Sequence, residues 1–147
     1  MAAVRRGAWT GLRYVTTVYA VGVVVQFFLV GIGLFGMKHG ATIDNAKSLD
    51  PHRAFGFLLS DIGSVLMLIL VLVAWPTPRR TLGLWILLAV LAFVQPALAT
   101  TGYHHEYVGM FHPVNALILL GLSSYLAHYA WATRDREAEA PAAVPAA

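Results

Sequence analysis

The chain has 147 residues, of which 59% are hydrophobic and only 12% are charged. Soluble globular domains carry about 25% charged residues, so this composition excludes an ordinary soluble domain and indicates a membrane protein. The absence of cysteine excludes disulfides, thiolate metal ligands and cysteine catalysis. The net charge is +3, but the basic residues form short clusters between apolar segments, so we expect no nucleic acid binding.

Four apolar segments are each long enough to cross a bilayer, which takes about 20 residues of α-helix. We predict an all-α integral membrane protein, an up-down-up-down four-helix bundle with helices at about 14–37, 52–75, 82–101 and 110–132. Residues 1–13 are predicted to be a cytoplasmic N-terminus, and residues 133–147 a disordered cytoplasmic tail. Pro96 lies inside the third segment and is expected to bend it.

The distribution of basic residues predicts the orientation. One side of the predicted membrane holds seven: Arg5, Arg6, Arg13, Arg79, Arg80, Arg134 and Arg136. The other holds three: Lys38, Lys47 and Arg53. We therefore predict a multi-pass protein of the plasma (inner) membrane with both termini cytoplasmic, and interpret the four tryptophans near that side as interfacial: Trp9, Trp75, Trp85 and Trp131.

A glycine pattern late in the first predicted helix, Gly31-Ile32-Gly33-Leu34-Phe35-Gly36, matches G-x-G-x-x-G. A dinucleotide site would need a preceding strand and a following helix start, so we interpret these glycines as packing residues.

Five of the six histidines fall at the predicted outer face. His52 and His112 lie at the outward starts of helices two and four, which sit on a diagonal of the predicted bundle, and two facing imidazoles suit the axial positions of haem b. Gly56, one turn after His52, would leave room for a flat macrocycle. Asn115 could orient the His112 imidazole or a haem propionate.

A copper or zinc site is the alternative for the same face. Two Met-x-His elements and a histidine pair provide candidate ligands: Met37, His39, His104, His105, Met110 and His112. Thioether and imidazole suit copper, whereas imidazole with the nearby Asp44, Asp50 or Glu106 would suit zinc. The third hypothesis has no cofactor: the histidines are interfacial polar residues of a non-catalytic membrane subunit or scaffold, whose partners are the lipid bilayer and other membrane subunits or a homo-oligomer. No nucleophile–base pattern predicts an enzyme.

Three further polar residues fall inside predicted spans: Gln26, Asp61 and Gln95. Of the three, only Asp61 is ionisable, and an ionisable group at such depth is costly unless it is paired or protonated. We expect these three side chains to turn inward, where they would form a hydrogen-bonded core or line a path.

These motifs resemble those of a family of small, functionally uncharacterised four-span bacterial membrane proteins. The resemblance rests on Gln26, His52-Arg-Ala-Phe-Gly56, Gln95 and His112-Pro-Val-Asn-Ala116, and covers Tyr14 to about Trp131. It implies a four-helix membrane domain without an established activity. More loosely, histidines on alternate helices are similar to those of membrane b-type cytochromes.

Overall fold

The computed structural model describes residues 2–76 and 79–139, which form helices joined by short connections. Helix α1 is Ala2–Phe35 and helix α3 is Arg79–Gly102. Helix α2 consists of α-helical Asp50–Phe57, π-helical Leu58–Gly63 and α-helical Ser64–Ala74, and helix α4 is Phe111–Glu139. A 3₁₀ turn, Lys47–Leu49, precedes α2, and a one-turn helix, Glu106–Gly109, precedes α4.

The four long helices form one antiparallel bundle. Helix α1 packs against α2 and α4, and α3 packs against the same two helices, so α2 and α4 lie on a diagonal. Each long helix contains a span long and apolar enough to cross a membrane, and only 22–28% of each span's apolar window is buried within the chain. The outward apolar surface needs a cover that the described part of the chain does not supply, and lipid fits it. The predicted all-α, four-span fold is confirmed.

The bundle is solidly packed at the end that holds the start of α1. The fully buried large side chains there include Leu12, Met67, Val71, Trp85, Leu88 and Leu126. Trp85 is 0% exposed and packs edge-to-face against Trp9, with ring centroids 6.3 Å apart. Trp85 is therefore a core residue, and its interpretation as an interfacial anchor is wrong.

Helix α1 begins at Ala2, well before the expected start at Tyr14, because its first turns pack onto the bundle. Leu12 is fully buried, and Arg5 donates from Nε to the carbonyl oxygen of Ala74 (3.3 Å) and from Nη2 to that of Trp75 (3.1 Å). Arg5 thereby satisfies carbonyls at the end of α2, which helices leave without internal partners.

The last helix continues beyond Ala132 to Glu139. The rest of the predicted tail, residues 140–147, lies outside the described residues. The cytoplasmic assignment of either terminus stays a prediction.

Asp61 does not turn inward as expected. It lies in the π-helical segment of α2, and its side chain is exposed on the outer surface of the bundle beside Ile62, which is 62% exposed. The expectation assumed a regular α-helix, but a π-helix bonds i to i+5 and so shifts the angular position of the residues that follow. Ser60 and Ser64, on either side, are buried instead.

Candidate functional site

The two histidines that begin α2 and α4 meet inside the bundle. The ring centroids of His52 and His112 are 6.3 Å apart, and the ring planes are inclined by 79°. Both side chains are partly buried. The structure therefore brings together the pair whose meeting was expected from the diagonal placement of their helices.

His112 is held by the third helix through both its backbone and its ring. The Nε2 amide of Gln95 donates to the carbonyl oxygen of His112 at 3.0 Å, and the Nδ1 of His112 lies 3.1 Å from the carbonyl oxygen of Gln95. A backbone carbonyl can only accept, so Nδ1 carries the proton in this bond and Nε2 keeps its lone pair. The Nε2 atoms of Gln95 and His112 are 3.5 Å apart.

Asn115 supports this arrangement through Gln95. Its Nδ2 donates to the side-chain Oε1 of Gln95 at 2.6 Å and to the carbonyl oxygen of Leu91 at 2.9 Å. Asn115 is buried, at 5% exposed. It was expected to orient the His112 imidazole; in the structure it instead fixes the amide that binds the backbone of His112.

His52 has a simpler set of contacts with the first helix. The Nε2 amide of Gln26 donates to the carbonyl oxygen of His52 at 3.1 Å. The side-chain Oε1 of Gln26 and the ring Nδ1 of His52 are buried and have no hydrogen-bond partner among the described residues. Gly56 leaves room for this contact, because a Cβ at that position would lie 2.7 Å from the Nε2 of Gln26.

The two halves of the chain thus repeat one arrangement. In each, a glutamine inside the first helix of a hairpin donates to the backbone carbonyl of the histidine that opens the second: Gln26 to His52, and Gln95 to His112. The partly buried residues Gln26 and Gln95 have structural roles at the histidine pair, whereas Asp61 takes no part in it.

Two cavities adjoin the pair. The larger, about 1000 Å³, extends from the histidines toward the connections before α2 and α4; the smaller, about 140 Å³, extends into the bundle toward Tyr19 and Leu119. Both are lined by Val30, His52, Ser60, Gln95, His112 and Pro113, so they adjoin at the histidine pair. Gly56 lines the larger cavity.

Arg53 fastens the connection that covers the larger cavity. It donates to the carbonyl oxygens of Ala46 (3.1 Å), Asp44 (3.0 Å) and Ile43, and it pairs with the Asp50 carboxylate at 2.7 Å. Asp44 also lines this cavity, and the hydroxyl of Thr42 donates to its carboxylate and holds the pKa of that carboxyl below its usual range. The sequence analysis did not identify these Arg53 contacts. The spacing of Asp50 and Arg53, one helical turn apart, is the signal that could have indicated their ion pair.

The remaining candidate ligands lie away from the histidine pair. His39, His104, His105 and Met110 are exposed, Met37 is partly buried, and none of the five lines either cavity. Within the described residues, no three His, Cys, Asp or Glu side chains lie close enough to share a metal ion. The zinc hypothesis therefore gains no ligand cluster, and the copper hypothesis, whose ligands include methionine, stays a prediction.

Comparison with known proteins places the chain in a family. A model described as a family of unknown function, DUF6220, matches residues 26–102, which include Gln26, His52, Gly56 and Gln95. No curated protein and no solved structure matches the chain. The expected likeness to b-type cytochromes thus has no named relative behind it. Because the matched range covers more than half of its 147 residues, the chain belongs to the DUF6220 family.

Proposed function

We propose that the chain binds one haem b between His52 and His112 and transfers electrons at the predicted outer membrane face. The observation that carries the proposal is the 6.3 Å between their ring centroids. A metal–imidazole bond is about 2 Å long and the ring centre lies about 1 Å behind the nitrogen, so trans imidazoles on one metal have centroids about 6 Å apart.

The Nδ1 bond of His112 supports ligation through Nε2, and the Gln95 amide, 3.5 Å from that nitrogen, would give way to the metal. Metal-binding histidines commonly donate their other ring N–H to a backbone carbonyl, which fixes the tautomer and makes the ligand more basic. The contact between His112 Nδ1 and the Gln95 carbonyl has this geometry. The Nδ1 of His52 has no hydrogen-bond partner among the described residues, so His52 has less support as a metal ligand than His112.

The cavities support a flat ligand that passes between the rings. Pockets for cofactors measure about 300–1000 Å³, and the larger cavity is about 1000 Å³. The smaller one continues on the other side of the shared lining. A macrocycle inserted between His52 and His112 would extend into both.

Ligation by two histidines leaves no open coordination position, which favours electron transfer over substrate chemistry. His52 and His112 would hold the haem, Gln26 and Gln95 would fix the backbone that carries them, and the apolar lining would exclude water. The site lies at one end of the bundle, so a redox partner would approach the connections at that end.

Absorption and electron paramagnetic resonance spectra of protein purified in mild detergent test this proposal. We expect a Soret band and a low-spin ferric signal in the wild type. His52→Ala and His112→Ala should each abolish the low-spin bis-histidine signal. His104→Ala and His105→Ala, matched controls exposed at the same end, should leave it unchanged. A low-spin signal that survives both His52→Ala and His112→Ala would refute the assignment of these histidines as haem ligands.

A non-catalytic membrane subunit is the second candidate, and Asp61 is the observation that favours it. Its side chain is exposed in the middle of the span Lys47–Ala74, beside Ile62, and makes no hydrogen bond or ion pair with another described residue. A carboxylate facing lipid at this depth is costly, whereas a polar group on a neighbouring membrane helix would satisfy it.

The mass of the purified complex in nanodiscs tests this second candidate. Wild-type protein should form an assembly larger than one chain, and Asp61→Leu should shift it toward the monomer. Ile62→Ala, the matched control on the same exposed surface, should not. A monomeric wild type would contradict the proposal.

A further inference from the structure

The two imidazoles of the central pair are anchored unequally. The ring of His112 is bonded through Nδ1 to the Gln95 carbonyl at 3.1 Å. The ring of His52 has no such bond: its Nδ1 is buried without a hydrogen-bond partner among the described residues, and Gln26 holds only its backbone carbonyl. Both histidines therefore have a glutamine bonded to their backbone carbonyl, but only His112 also has a hydrogen bond at its ring Nδ1.

The helices behind the two histidines also differ in sequence. Gln95 is followed by Pro96, which lies inside α3 and cannot donate to the carbonyl of Ala92. Prolines in this position bend helices and loosen the backbone bonding around them. Carbonyls on the same stretch, those of Leu91 and Gln95, accept bonds from Asn115 and His112.

The corresponding stretch of α1 contains no proline. Gln26 is followed by Phe27 in an uninterrupted helix, Ala2–Phe35, in which backbone carbonyls are engaged by the helix itself. The His52 ring makes no bond through its Nδ1 to a carbonyl of this helix.

We infer that His52 is the exchangeable axial ligand and that a small uncharged diatomic ligand of ferrous iron, of the class of carbon monoxide and nitric oxide, replaces it while His112 stays bound. This inference rests on the haem proposed above. The step breaks the bond from His52 Nε2 to iron and forms one from the diatomic. It changes no oxidation state once an external one-electron donor has reduced the iron.

The unequal anchoring of the two rings favours exchange at His52. A hydrogen bond to the far ring nitrogen strengthens an imidazole as a ligand, and its loss weakens metal affinity about 10–100-fold. Both histidines border the cavity of about 1000 Å³, so a released His52 ring has room to move and an incoming diatomic has a route.

Carbon monoxide binding to dithionite-reduced, haem-loaded protein tests the inference without any substitution. In the wild type, the rate should reach a plateau as the carbon monoxide concentration rises, because His52 must leave first. Failure to bind carbon monoxide at saturation would overturn the inference while leaving the haem proposal standing. A wild type that takes up no haem would instead overturn the proposed function, and the inference with it.

Two matched glycine variants identify the ligand that leaves. His52→Gly should retain haem, bind carbon monoxide at a rate that rises linearly with its concentration, and give a carbon monoxide complex with the wild-type spectrum. His112→Gly should hold haem at least about tenfold more weakly, because it removes the better-anchored ligand. The reverse result, with haem retained in His112→Gly and lost from a folded His52→Gly, would overturn the inference.

Discussion

Gly56→Ala gives a quantitative test of the contact between the first two helices. Alanine in place of glycine inside a helix normally stabilises by about 1 kcal/mol. Here the new Cβ would lie 2.7 Å from the Nε2 of Gln26. The amide is the end of a flexible side chain and can move away from the new Cβ, and we expect that movement to break its 3.1 Å bond to the His52 carbonyl. Losing that bond costs about 0.5–1.5 kcal/mol.

The matched control is Gly31→Ala, because a Cβ at Gly31 meets nothing within 4 Å. Gly56→Ala should therefore have a free energy of unfolding about 0.5–1.5 kcal/mol below that of Gly31→Ala. For a chain of this size, each kcal/mol corresponds to about 2–4 °C in Tm. Circular dichroism during thermal or denaturant unfolding in one detergent measures the difference.

A double-mutant cycle shows whether the cost comes from Gln26. In a Gln26→Ala background there is no amide to displace, so Gly56→Ala should stabilise as much as Gly31→Ala does. The reasoning fails if Gly56→Ala equals the control in the wild-type background, or if its penalty persists in the absence of Gln26.

Three other expectations concern the ends and the surface of the bundle. Arg5→Ala should lower the free energy of unfolding by about 1–2 kcal/mol, since it removes two donors to carbonyls at the end of α2; Arg6→Ala is the control, and equal effects of the two would contradict the capping role. Asp61→Asn should insert and fold better than Asp61→Lys, because an ammonium near mid-bilayer costs about 2.5–3.5 kcal/mol; equal yields of membrane-inserted protein would argue against a mid-membrane position. Reporter fusions after Arg80 should read cytoplasmic and those near Asn45 external, and the opposite pattern would reverse the predicted orientation.

The sequence is most informative where side-chain chemistry alone decides the structure. Long apolar segments must become helices in lipid, and short connections make neighbouring helices antiparallel, so the four spans and the approach of His52 to His112 are predictable. Gln26 and Gln95 are recognisable as buried polar residues for the same reason. Their partners are not, because each binds a backbone carbonyl, which every residue carries.

The wrong expectation for Asp61 has a specific physical cause. Helical-wheel reasoning assigns a direction to each side chain on the assumption of constant rotation per residue, and the segment Leu58–Gly63 breaks that assumption. Nothing in the letters Leu-Leu-Ser-Asp-Ile-Gly identifies a π-helix. The contact that fixes the His112 ring cannot be read from the sequence either, since its acceptor is the backbone carbonyl of Gln95.

One end of the bundle is tightly packed and the other contains the larger cavity, so local stability should fall from the packed end to the cavity end. Leu12, Met67 and Trp85 are fully buried at one end, while a cavity of about 1000 Å³ occupies the other. Backbone amides around Arg53 should therefore exchange with deuterium sooner than those around Met67. A ligand that fills the cavity adds stability in proportion to its binding free energy, and it should slow exchange first at the cavity end. Exchange rates along α2 thus provide a direct readout of occupancy that needs no chromophore.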